Sequence, residues 1–169
     1  MVTWIIGLSG AGKTTIGNIV FKSLKKKYTN LVFLDGDDFR HILGDDLGHS
    51  LEDRKKNADR FCRMCKYFDD QGIHVIAAIL SIFPDSREWN KINYNNYYEI
   101  YIDTPIKTLI KRDTKGLYKK ALSGEIKDVA GVDLHFTPPT NPDCHIINDG
   151  KASINQIATK LIELLEKRL

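Results

Sequence analysis

An α/β fold, a parallel sheet wrapped by helices, is what this sequence predicts, and three observations carry the prediction. Short apolar runs alternate with longer stretches of helical periodicity along the chain, the mark of successive strand–helix units. One run, residues 73–80, is almost wholly apolar, as a central strand covered on both faces should be. The first run leads directly into a glycine-rich turn and then a helix.

In order, residues 4–8 read as a buried first strand, followed by a helix from about Lys13 to Lys27 with Ile16, Ile19, Val20 and Leu24 on one face. Residues 31–34 form the second strand, which runs into Asp35-Gly36-Asp37-Asp38. Residues 51–70 carry Ala58, Phe61, Cys65 and Phe68 at helical spacing, and residues 73–80 form the third strand. Residues 97–102 and 144–147 supply the fourth and fifth, and a last helix from about Ala152 turns Ile154, Ile157, Ala158, Leu161, Ile162 and Leu165 to one side. The stretch 113–143 is rich in Gly, Pro, Lys and Asp, and so long a polar segment within a compact domain reads as a functional lid. The expectation is one domain over 1–169.

The chain has 169 residues, 42% of them hydrophobic and 28% charged, with a net charge of +3. That charge is too small to argue for nucleic-acid binding, and no apolar run approaches the length that spans a bilayer. The start lacks the basic region of a signal peptide. The three cysteines do not make a disulfide framework, and a reduced cytoplasm is the expected location. Lys25-Lys26-Lys27 closes a helix, where lysines suit the negative end of the dipole.

Gly7-Leu8-Ser9-Gly10-Ala11-Gly12-Lys13-Thr14 matches the G-x-x-x-x-G-K-[ST] phosphate loop at every required position, with a strand before it and a helix after. The glycines let backbone N–H groups converge on phosphate oxygens at the positive end of the helix. Lys13 supplies a point charge for the β- and γ-phosphates, and the Thr14 hydroxyl is a ligand for Mg²⁺. The motif therefore places Gly7, Ser9, Gly10, Ala11, Gly12, Lys13, Thr14 and Thr15 at the nucleotide, and Arg112, at the head of the polar lid stretch, is assigned to the same site. The fold expected is that of the P-loop nucleoside triphosphatases, with ATP and Mg²⁺ bound. Asn90-Lys91-Ile92-Asn93 lacks the aspartate of a guanine-reading N-K-x-D segment, and a motor or transporter ATPase would usually be longer. A small kinase is left.

Asp35 and Asp37 follow the second strand's carboxyl end, where open α/β sheets place their ligands. Carboxylates there suit holding Mg²⁺, assigned to Thr14 and Asp35, and orienting an acceptor hydroxyl, assigned to Asp37. Asp38 is expected to cap the following helix.

Leu34-Asp35-Gly36-Asp37-Asp38-Phe39-Arg40, Asp46-Leu47-Gly48-His49-Ser50, Asp53-Arg54-Lys55-Lys56-Asn57, the lid run from Arg112 through Lys115-Gly116-Leu117-Tyr118-Lys119-Lys120-Ala121, Gly131-Val132-Asp133 and Pro138-Pro139 together resemble the adenylylsulfate kinases over nearly the whole chain. The resemblance implies a commonly dimeric, MgATP-dependent kinase acting on the ribose 3′-hydroxyl of adenosine 5′-phosphosulfate. It implies that Asp37 faces the acceptor hydroxyl and that Arg40, Arg54 and Asn57 hold the acceptor's phosphate-bearing end. It also implies that Lys119 and Lys120 belong to the closing lid and that Ser81 matches the serine of the family's I-S-P-F segment. Arginine suits that task because its planar fork gives parallel hydrogen bonds.

Three departures fall in one place. His49 stands where the family carries a Phe that stacks on adenine, and Val129 where the lid carries another. The I-S-P-F-R segment has become Leu80-Ser81-Ile82-Phe83-Pro84. Stacking a base on an aromatic side chain is worth roughly 1–3 kcal/mol, so its loss points to a changed acceptor base rather than drift, since the phosphate-handling residues remain. A branch resembling this family acts on cytidine diphosphoramidate in capsule phosphoramidate synthesis, and a pyrimidine suits a less aromatic pocket. Adenylylsulfate itself as acceptor, and a nucleotide-binding module without turnover, are the alternatives.

Cys62-Arg63-Met64-Cys65 lies within a helical stretch without a second pair and reads as packing rather than metal or redox chemistry. Trp89 and Tyr94, Tyr97, Tyr98 and Tyr101 read first as core and strand packing.

Overall fold

The computed structural model describes residues 1–44, 46–113 and 115–169; Thr114, within the lid motif, lies outside them. Five strands, β1 (Val2–Ile6), β2 (Leu31–Asp35), β3 (His74–Ile79), β4 (Tyr97–Asp103) and β5 (Cys144–Ile147), form one sheet in the order β2-β3-β1-β4-β5. Every pairing is parallel. Around it stand α1 (Lys13–Leu24), α2 (Gly36–Ile42), α3 (Leu51–Asp70), α4 (Pro84–Asn93), α5 (Ile106–Arg112), α6 (Leu117–Leu122) and α7 (Ile154–Glu166).

The apolar runs follow from burial on both faces. Successive side chains of a strand point to opposite sides. In β1, Val2, Trp4 and Ile6 pack with Phe39 of α2 and Phe61, Cys62 and Cys65 of α3. Ile5 instead joins Ile16, Val20 and Leu24 of α1 and Ile157, Ala158, Leu161 and Leu165 of α7. The Trp4 and Phe61 rings meet edge to face, with centroids 5.4 Å apart. Each such large apolar side chain contributes about 1.5–3 kcal/mol on burial. Burial also raises the Cys62 thiol to about 11 and holds the Cys65 thiol well above its ordinary range, so these cysteines are packing groups with little thiolate. Among the described residues no helix is long and apolar enough to cross a membrane.

Several boundaries differ from those the sequence predicts. β1 stops at Ile6, paired to Ile79 and Tyr101, so Gly7 and Leu8 belong to the loop. A Cβ on Gly7 would lie 2.7 Å from the Ile102 carbonyl oxygen. α1 ends at Leu24, and Lys25 turns back to donate its Nζ to the Thr29 and Leu31 carbonyls. Asp38 does not cap α2: Asp35 is the N-cap, its side chain accepting from the Asp37 amide, while Asp38 sits in the first turn. Position decides this, because only the residue just outside the helix can fold its carboxylate over the first free amides.

Helix α4 escapes apolar periodicity because the residues it turns inward are Ser86, Arg87 and Asn90. Pro84 opens it at the first turn, where a fixed φ and missing N–H cost nothing. The lid is not wholly irregular either. Gly116, at φ 67°, turns the chain into α6, and an isolated bridge joins Ala130 to Leu134.

Candidate active site

β1, β2, β3 and β4 all end at one edge of the sheet, and the functional side chains stand there. The loop after β1 is shaped by Gly10 at φ 76° and Gly12 at φ 95°, left-handed values that a side chain would resist. The Ala11 amide donates to the Leu8 carbonyl at 3.1 Å, and the Ala11 carbonyl accepts from Asn148 Nδ2 at 2.8 Å. Asn148 is itself buried and accepts on Oδ1 from Arg112 at 3.2 Å. The loop is thus braced from β5 and α5 as well as from its own turn.

Lys13 donates Nζ to the Leu8 carbonyl at 3.0 Å. Burial lowers its ammonium to about 8, against the opposing pull of Asp35 and Asp37 and with a further push from Lys115. A cavity of about 540 Å³ runs along Ser9, Gly10, Gly12, Thr15 and Arg112. The glycine turn, the lysine and the start of α1 suit a polyphosphate.

The Thr14 hydroxyl donates to Asp35 Oδ2 at 2.6 Å, so a hydroxyl from the first turn of α1 and a buried carboxylate from the end of β2 share one point. This hard oxygen pair fits Mg²⁺, which takes few protein ligands and keeps water and phosphate oxygens for the rest. Asp37, two residues on, is exposed, with the Lys115 ammonium 3.7 Å away. Lys115 lines both this cavity and the next. Sequence reasoning gave it no role, although it lies in the lid motif.

The second cavity, of about 490 Å³, continues from Asp35 and Asp37 past His49, Arg54, Lys120 and Val129. Its apolar wall comes from Ala78, Ile79, Leu80, Leu117, Ile126 and Ala130. Neither Phe, Tyr nor Trp is among its described lining residues. Arg54 ties the opposite walls together: Nε donates to the His49 carbonyl at 2.8 Å and an Nη to the Asp128 carbonyl at 3.0 Å. Partial burial, then the charges of Arg54 and Arg40, hold the His49 imidazole below its ordinary value, which favours the neutral ring.

Most residues singled out in the sequence converge on these two cavities: Ser9, Gly10, Gly12, Lys13, Thr14, Thr15, Asp35, Asp37, His49, Arg54, Arg112, Lys120 and Val129. Gly7 and Ala11, within the loop, are buried. Arg40, Asn57, Ser81 and Lys119 do not line either cavity. Arg40 braces the acidic loop, donating to the Leu47 and Gly48 carbonyls. Asn57 is buried on α3. Ser81 accepts from the Trp4 indole at 3.2 Å, and Lys119 offers its backbone amide to Asp113. Two supports escaped sequence reasoning, Asn148 and Tyr118, whose hydroxyl donates to the Ser9 carbonyl at 2.7 Å. Tyr118 lies in the lid motif, which could have drawn attention to it, whereas Asn148 carries no local signal; each meets the loop only through the fold.

With this geometry in view, residues 1–147 match the adenylylsulphate kinase family. A cytidine diphosphoramidate kinase of Campylobacter jejuni subsp. jejuni serotype O:2 is 41% identical over 171 aligned residues, covering 99% of this chain and 95% of that protein. An adenylyl-sulfate kinase of Clostridium kluyveri is 37% identical, covering 98% of this chain and 83% of that protein. The Mycobacterium tuberculosis APS kinase CysC, solved with AMPPNP and APS, superposes with a TM-score of 0.87 at 33% identity, covering 98% of this chain and 96% of that one.

Proposed function

The chain belongs to the adenylylsulphate kinase family, a family of phosphotransferases acting on hydroxyl acceptors, and from that premise we propose that it transfers the γ-phosphoryl group of ATP to the ribose 3′-hydroxyl of cytidine diphosphoramidate. The observation that carries the choice of base is the cavity beside Asp37, where His49 and Val129 stand without a Phe, Tyr or Trp. An adenine there would lose the roughly 1–3 kcal/mol that aromatic stacking supplies. A relative named for cytidine diphosphoramidate, matched over nearly its whole length, supports the same reading.

In this mechanism the loop amides and Lys13 hold the triphosphate, and Arg112 borders the same cavity. Thr14 and Asp35 would hold Mg²⁺, which when bound would supply charge shielding for the phosphates. Asp37 orients the 3′-hydroxyl and takes its proton. The bond from the acceptor oxygen to the γ-phosphorus forms as the bond from that phosphorus to the β–γ bridging oxygen breaks, releasing ADP. Because such transition states are loose, alignment contributes more than basicity. Arg54 and Lys120 offer positive charge to the acceptor's phosphates from α3 and the lid.

The test is ADP release with MgATP and a panel of nucleotide acceptors of defined base. The expected result is a kcat/KM for cytidine diphosphoramidate at least about tenfold above that for adenosine 5′-phosphosulfate. A preference for the adenosine compound would overturn the base assignment.

A further inference from the structure

The valine wall of the second cavity is held from behind by one carboxylate. Asp133 accepts the Val129 amide on Oδ1 at 2.7 Å and the Asp128 amide on Oδ2 at 2.8 Å. These two bonds, Val129 first, keep the Asp133 carboxyl below the usual carboxylate range. Val129 O accepts from the Val132 and Leu134 amides, and Leu134 O from Gly131, closing the segment on itself.

Between these bonds Asp128 adopts φ 62°, a left-handed conformation that a residue other than glycine takes up at some cost. That conformation has two consequences. It aims the Asp128 carbonyl at Arg54, and it turns Val129 into the cavity wall, where its side chain is buried. Through Arg54 the same chain of contacts reaches the His49 carbonyl on the facing wall. Asp133 lines neither cavity.

We propose that Asp133 is a positioning residue for acceptor selection: by accepting two consecutive amides it holds Asp128 in its left-handed conformation and so sets the spacing between Val129 and His49. The inference rests on assigning this cavity to the acceptor. Two charge-assisted bonds to one carboxylate are well suited to offset a strained residue.

Steady-state kinetics with ATP and cytidine diphosphoramidate test it. Asp133→Asn, which keeps the shape but loses one acceptor oxygen, should raise the acceptor KM about tenfold while the ATP KM and kcat stay within about twofold. Placing glycine at 128 in that background, D133N/D128G, should recover most of the loss, because glycine adopts the left-handed conformation without a clamp. Recovery by a residue that adds no contact is not expected of a carboxylate that only stabilises the fold. Should Asp133→Asn prove unfolded, Asp133→Glu, which lengthens the arm, is measured in the same way. Val129→Phe separates the two levels of the argument. If it changes the acceptor KM while Asp133→Asn does not, the Asp133 role is wrong and the cavity assignment stands. If neither variant moves the acceptor KM, the assignment fails and the inference with it. Equal rises in both substrates' KM would also overturn it, by making Asp133 a general support.

Discussion

The Thr14 hydroxyl donates to Asp35 Oδ2 at 2.6 Å, joining the first turn of α1 to the end of β2. Asp35 Oδ1 meanwhile accepts the Asp37 amide at 2.9 Å, so one carboxylate both shapes the proposed metal site and starts the helix that presents Asp37. Thr14→Ala is expected to raise the Mg²⁺ concentration for half-maximal ADP release by about 10–100-fold, the usual effect of disturbing a ligand or its support. An unchanged Mg²⁺ requirement would remove Thr14 from the metal site. Asp35→Ala should in addition lower stability by about 1 kcal/mol through the lost cap, readable in a urea titration.

Asp37 is exposed on α2, so Asp37→Asn should leave folding within about 0.5 kcal/mol of the parent. Phosphoryl transfer should fall at least about a hundredfold, with MgATP affinity, measured by calorimetry, preserved. A variant that retains its turnover would take the proton-accepting role away from Asp37.

With Lys13 at the triphosphate, as proposed, nucleotide binding should be a proton-linked event. Its ammonium, lowered by burial to about 8 in the free protein, should return toward its ordinary range beside triphosphate charge. At pH 8.5 the free lysine is mostly neutral and the bound one charged, so binding takes up about three-quarters of a proton. At pH 7 the free lysine is already about nine-tenths charged, and uptake falls to about a tenth of a proton. Calorimetry in two buffers of different ionisation enthalpy reads the difference directly; equal apparent enthalpies at pH 8.5 would contradict it.

His49→Phe places a stacking surface on the wall of the cavity proposed for the acceptor. Its expected effect is a gain of about tenfold in kcat/KM for adenosine 5′-phosphosulfate, with the ATP KM unmoved. Paired measurements on the cytidine and adenosine acceptors decide it, and a fall on both would show that the imidazole is needed for something other than the base.

Tyr118 fastens α6 to the phosphate loop through the Ser9 carbonyl at 2.7 Å. Tyr118→Phe keeps the buried ring and deletes the bond, at about 0.5–1.5 kcal/mol. Hydrogen exchange across Leu117–Leu122 should quicken while exchange in the central strands does not. Protection unchanged in α6 would mean that packing alone holds the lid helix.

Much of this was legible in the residues taken in order. The phosphate loop announces itself because its chemistry needs glycines, a lysine and a hydroxyl at adjoining positions, and the strands do because double-faced burial demands continuous apolar runs. The acidic turn after β2 and the long polar lid stretch could likewise be read locally, while the arginine on α3 stood out only through the family resemblance. Where α4 hides is equally physical: its inward face is Ser86, Arg87 and Asn90, polar groups that leave no apolar stripe.

Sequence alone therefore determined the class of chemistry, because phosphate binding is built from consecutive backbone groups and needs no distant partner. Only the tertiary structure decided how these groups touch: the Thr14 hydroxyl on Asp35, Arg54 between the His49 and Asp128 carbonyls, Tyr118 and Asn148 against the loop. Those meetings depend on strand order and on hydrogen bonds between segments up to 137 residues apart, and no local pattern encodes a distance between remote positions. The spacing of the cavity walls rests on such distances, and so it is read from the folded chain.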